Sequence, residues 1–117
     1  MSIPPLFAEG IRRFNAGEFF EAHEAFEEML NEVDDDRWDL LLALIQVAVG
    51  YHKAANGYVG AGRMLRLGGE KLAELPASAF GIDVGALRER VGEDLARLER
   101  GEPLDVVGAP PRIAPAG

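Results

Sequence analysis

The chain contains no cysteine. Disulfides and thiolate nucleophiles are therefore excluded, and any metal it holds must rest on nitrogen and oxygen donors. Histidine is scarce: only His23 and His52 are present. A long apolar run is also missing. The stretch from Leu40 to Tyr51 is interrupted by Gln46 and falls short of the ~20 residues that a spanning helix needs. No basic leader followed by an apolar core opens the sequence, so a cytoplasmic setting without membrane contact is expected. Basic residues are outnumbered, with 12 Lys and Arg against 20 Asp and Glu. A nucleic-acid binder presents a basic face, and this composition argues against one.

A length of 117 residues fits one domain, and 48% apolar content is enough for a real core. The net charge of −8 is unevenly placed. Residues 1–39 hold eleven acidic and three basic residues, whereas residues 40–117 hold nine of each. The acidic first third reads as a solvated face that favours solubility.

Helical periodicity dominates the rest. Pro4-Pro5 suit the first turn of a helix on which Phe7, Ile11 and Phe14 share a face. Gly17 suits its end, and Glu18 and Glu21 suit the start of a second helix, where the dipole favours acids. Asp35 or Asp36 can cap a third, over about Arg37 to Asn56. That segment is apolar nearly all round, the mark of a buried central helix. A fourth is expected over about Tyr58 to Leu75, stopped by Pro76. A fifth is capped by Asp83 and striped by Val84, Leu87, Val91, Leu95 and Leu98. No stretch alternates cleanly enough for a strand. The expected fold is an all-α, single-domain bundle of about five helices with a buried third helix. It should cover residues 1–102, with an irregular Pro/Gly/Ala-rich tail over 103–117.

Phe19, Ala22 and Phe26 are echoed 39 positions on by Tyr58, Ala61 and Leu65. Two copies at that period do not make a repeat protein, so the echo reads as two similar helical hairpins. The glycines of Gly57-Tyr-Val-Gly60-Ala-Gly62 lack the preceding strand and the Gly-Lys-Ser/Thr of a phosphate loop. Close helix packing is the expected reason for them.

The chemistry concentrates in Glu18-Phe-Phe-Glu-Ala-His23-Glu24-Ala-Phe-Glu27-Glu28. On a helical wheel set at Phe19, His23 lies at about 40° and Glu27 at about 80°, both at the edge of the core face. Their β-carbons then stand about 6 Å apart. Glu21, Glu24 and Glu28 turn to solvent. His23-Glu24-Ala-Phe-Glu27 also reads as H-E-x-x-E, a loose variant of the zinc-protease pattern with Glu24 in the place of the base. An outward Glu24 is poorly placed for that task. If the second and third helices are antiparallel, His52 is the natural third ligand, and Gln46 or Lys53 the natural hydrogen-bond partner of Glu27. The candidate metal set is therefore His23, Glu27 and His52, suited to a divalent Zn, Fe, Mn or Ni ion. The alternative reading of the same residues is a paired, purely structural cluster. Ferritin-type di-iron chemistry fails, because Phe20 and Val49 stand where its glutamates belong.

The run Phe14-Asn-Ala-Gly-Glu-Phe-Phe-Glu-Ala-His23-Glu24-Ala-Phe-Glu27-Glu28, then Leu44-Ile45-Gln46-Val-Ala-Val-Gly-Tyr-His52 and Asn56-Gly57-Tyr-Val-Gly-Ala, resembles the DUF309 family. These are small helical proteins of bacteria and archaea, and the resemblance spans about residues 8–75. It implies a helical fold. It also implies a suggested metal-dependent hydrolase activity, through an H-x-x-x-E-x-x-[W/Y] motif that falls on His23 and Glu27. Leu30 occupies the aromatic position, which weakens a role for that ring. Two functional classes stay open on these grounds. One is a module that binds itself or a protein partner, with His23, Glu27 and His52 as polar glue. The other is a metal-dependent hydrolase.

Overall fold

The structure, a computed structural model, describes residues 4–117; Met1 to Ile3, at the start of the expected 1–102 bundle, lie outside it. Among the described residues the chain forms five helices and one short hairpin. They are α1 (Pro5–Asn15), α2 (Phe19–Leu30), α3 (Arg37–Ala55), α4 (Ala61–Ala73), β1 (Ser78–Ala79), β2 (Ile82–Asp83) and α5 (Val84–Glu99). The all-α expectation holds, and no helix is long and apolar enough to cross a membrane.

Each helix packs chiefly on its neighbours in sequence, and the pairs run antiparallel. Phe14 meets Phe19 at a ring-centroid distance of 5.2 Å and Phe7 meets Phe26 at 6.1 Å, which folds α1 back on α2. Helix α3 lies between α2 and α4. Its Leu40, Leu41, Ala43, Leu44, Val47, Ala48 and Tyr51 are fully buried, as an all-round apolar helix requires. Two helical glycines let α3 and α4 come close. A β-carbon at Gly50 would stand 2.7 Å from Leu65, and one at Gly68 would stand 2.6 Å from Val47. Of the three glycines expected to serve this purpose, Gly62 lies in α4 facing Leu95 of the fifth helix, and the other two do something else. Gly57 and Gly60 take φ of 69° and 96°, a region that no α-helix contains. They end α3 and hold back α4, which starts at Ala61 rather than Tyr58.

The capping of α3 is also indirect. Asp36 sits at the N-cap without a side-chain bond. Asp35 accepts the Arg37 amide at 3.0 Å and pairs with the Arg37 guanidinium at 2.9 Å. Asp83 caps α5 as expected, accepting from the Ala86 amide at 2.9 Å.

The hairpin has no counterpart in the sequence reading. Its turn residues, Phe80 and Gly81, have φ of 50° and 83°, as a two-residue type I′ turn demands. The segment after α5 holds no helix, yet it docks. Ala114 accepts from the Asp83 amide at 2.8 Å, the Ala116 amide donates to Gly81 at 3.0 Å, and Pro115 bridges Ile82. The Asn15 side chain holds Ile113 from both sides: Nδ2 donates to its carbonyl at 3.0 Å, and Oδ1 accepts its amide at 2.7 Å. Ile113 and Val106 are thereby drawn into the core.

Candidate functional site

At the start of α2, two adjacent phenylalanines part company. Phe19 turns inward against Phe14 and Tyr51, with ring centroids at 5.2 and 5.6 Å. Phe20 turns outward and is 45% exposed. Its ring lies between both histidines, with centroids 4.9 Å from His23 and 5.3 Å from His52. Tyr58 meets His52 edge-on, with ring centroids at 5.8 Å. Phe20, His23, Val49, His52, Lys53 and Tyr58 together line a cavity of about 210 Å³.

His23 is held at both ring nitrogens. Nδ1 lies 2.6 Å from the Phe20 carbonyl, one turn back on α2. Nε2 lies 2.9 Å from Glu27 Oε2. A carbonyl has no proton to give, so Nδ1 carries the hydrogen and donates it. With a second proton on Nε2, the ring forms an ion pair with Glu27. Without it, a nitrogen lone pair and a carboxylate oxygen face each other as a two-donor set for a cation.

His52 is brought to the same cavity but not into hydrogen-bond contact with His23. Its Nδ1 lies 3.3 Å from the Asn56 side-chain nitrogen, which also donates to the His52 carbonyl at 2.8 Å. The antiparallel register sets Phe20, rather than Glu27, opposite His52. The expected partners of Glu27 are also corrected. Its partner is His23, Lys53 Nζ donates to the Val59 carbonyl at 3.4 Å, and Gln46 Oε1 is buried without a partner. Glu24 is exposed and outside the cavity. Among the described residues no group of three or more His, Asp or Glu side chains stands together as a metal site.

A second polar cluster escaped the sequence reading. The Tyr51 hydroxyl donates to Asp94 Oδ2 at 2.6 Å, and Arg90 Nε donates to the same oxygen at 2.9 Å. Tyr51 is fully buried and Asp94 is 5% exposed. Burial first, and then the Asp94 carboxylate, push the Tyr51 phenol far above its ordinary range, so it stays a donor. A signal existed: Asp94 stands three residues after Val91, at the edge of the apolar stripe of α5, with Arg90 one turn before it.

Residues 7–65 match the model of a family described as Domain of unknown function (DUF309). The chain belongs to the DUF309 family. No curated protein matches it. The matched span takes in most of α1, all of α2 and α3 and the start of α4, and with them every residue that lines the cavity around Phe20. Asp94 and Arg90 of this DUF309 protein lie beyond it.

Proposed function

We propose that this protein is an interaction module. Its working surface is the cavity between α2 and α3, and the occupant is one apolar side chain of a partner segment that also carries a carboxylate. The observation that carries this reading is the rim. Phe20 and Tyr58, 45% and 57% exposed, line one small concavity, and the next residue in the chain, Val59, is 93% exposed; clustered exposed apolar residues are typical of binding surfaces. At about 210 Å³ the cavity is below the ~300–1,000 Å³ of ordinary small-molecule sites, so it suits a single anchoring side chain. Charge supports the carboxylate. Lys53 and two imidazoles border the cavity in a chain whose excess charge is negative. The test is titration of the ¹⁵N-labelled protein with short peptides of mixed Glu and Phe or Leu. Saturable shifts at His23, His52 and Tyr58, lost in Phe20→Ala and weakened by salt, are expected. Shifts scattered over the surface, or none, would sink the reading.

A metal-dependent hydrolase is the second reading, favoured by the orientation of His23. A ligating histidine usually donates its other N–H to a carbonyl or carboxylate, and His23 gives Nδ1 to the Phe20 carbonyl. His23 and Glu27 supply two donors, one short of the three that a catalytic zinc takes from protein. His52 would complete the set once the Phe20 ring swings out. Melting temperature with and without Zn, Fe, Mn and Ni ions separates the readings. A rise lost in His23→Ala, Glu27→Gln and His52→Ala supports the metal site, and no rise in the wild type removes it.

A further inference from the structure

Helix α3 packs chiefly on α2 and α4, and one stripe of it stays partly open. Trp38, Leu42, Gln46, Val49 and Lys53 recur at helical spacing, within about 80° of one another on a wheel. All of them are at least partly exposed, and Trp38 reaches 42%. The two ends of the stripe differ. At its C-terminal end, Val49 and Lys53 belong to the cavity wall around Phe20, and none of the residues lining that cavity is acidic. The nearby Glu27 carboxylate is engaged by His23. At its N-terminal end stand Trp38 and the exposed Asp34, Asp35, Asp36 and Asp39. The cation among them, Arg37, is held by Asp35.

Trp38 cannot fill the cavity of its own chain, because Val49 lies about three turns, or about 16 Å, further along the helix. A second copy laid antiparallel across α3 removes that distance. With a two-fold axis between Ile45 and Gln46, Trp38 of each copy falls on Lys53 of the other, and Leu42 falls on Val49. We propose that the protein is a homodimer built on α3, with Trp38 of each copy seated in the Phe20 cavity of the other. This rests on the interaction-module reading and names its partner: Trp38 is the apolar anchor, and Asp39 brings the carboxylate. Charge complementarity selects a second copy. The acidic end of each stripe meets Lys53 and the two imidazoles of the other, twice over, as a self-complementary contact requires. An indole against an ammonium adds a cation–π attraction. A contact along α3 that takes in Phe20 and Tyr58 buries on the order of 600 Å² per copy. That is the lower end of stable interfaces, so a dimer in the micromolar range is expected.

Trp38 is the only tryptophan of the chain, so its fluorescence reads the contact directly. The full chain is followed across the micromolar range by sedimentation equilibrium and by acrylamide quenching of Trp38. The mass is expected to double as concentration rises, and over the same range Trp38 emission should move to the blue and lose access to the quencher. Trp38→Ala should weaken dimerisation at least about thirtyfold, as loss of a central aromatic anchor does. Lys53→Glu, which sets acid against acid, should weaken it at least about tenfold. Both positions are partly open to solvent, so both variants keep the fold, with circular dichroism as the check. Val107→Ser, at an apolar position 89% exposed elsewhere on the surface, should dimerise like the wild type. A chain that stays monomeric while acidic–aromatic peptides still enter the cavity overturns the dimer and leaves the module reading standing. A dimer that leaves Trp38 as open to quencher as in the monomer, or that survives Trp38→Ala or Lys53→Glu unweakened, overturns this interface.

Discussion

Two of the side-chain pairs that sit four residues apart on helices of this protein differ sharply in setting. His23–Glu27 and Arg90–Asp94 both close at 2.9 Å, yet they have little else in common. The Glu27 side chain is 53% exposed, and that of Asp94 is 7% exposed. The same spacing therefore produces a rim that solvent or a partner can reach, and an anchor that the fold cannot release cheaply. The depth of the carboxylate separates them, because water reaches the Glu27 carboxylate freely and the Asp94 carboxylate hardly at all.

The contrast can be broken by substitution. Asp94→Ala strands the Tyr51 hydroxyl and leaves Arg90 Nε without its carboxylate, and should cost about 3–5 kcal/mol in chemical denaturation. Ile113→Ala, which empties the place of the docked segment in the core, should cost about 2–4 kcal/mol. Tyr51→Phe removes one hydrogen bond but leaves Asp94 with Arg90, for about 1–2 kcal/mol. Glu27→Gln should change stability by less than about 1 kcal/mol. If Glu27→Gln proves as damaging as Asp94→Ala, burial is not what distinguishes the pairs.

Alkaline pH sharpens the same comparison. The folded state holds the Tyr51 phenol protonated far above its ordinary range, while the unfolded chain releases that proton near pH 10. Above that point the unfolded state binds fewer protons, so stability falls as pH rises. The contribution is intact below pH ~10. Tyr51→Phe should lose less stability than the wild type between neutral and strongly alkaline pH, measured by urea midpoints. Equal losses would mean that Tyr51 ionises without penalty.

Periodicity and stop residues made the helices legible, because Phe7, Ile11 and Phe14, or Val84, Leu87 and Val91, repeat at helical spacing. The wheel also paired His23 with Glu27. It could not place Phe20 between the two histidines, since a wheel gives the face of a residue and not its height against the next helix. The hairpin was illegible because strands of two residues carry no period. The docking of Ile113 was illegible because its grip comes from one amide, Asn15, far away in the chain. The glycines show a further limit. Composition marked Gly57 and Gly60 as packing residues, whereas Gly50 and Gly68 carry that role. Only backbone angles and neighbours tell the two uses apart.

The clasp between Asn15 and Ile113 joins positions 98 residues apart. Most other contacts here are between neighbouring helices, which close short loops and can form early. This one needs both ends of the described chain to be ordered first, so it belongs to the last step of refolding. Until then the β2 edge that meets Pro115 stays open. A refolding time course should therefore show the helices forming before the amides of Ile113 and Asp83 gain protection, with strand addition from a second chain as the competing event in that interval.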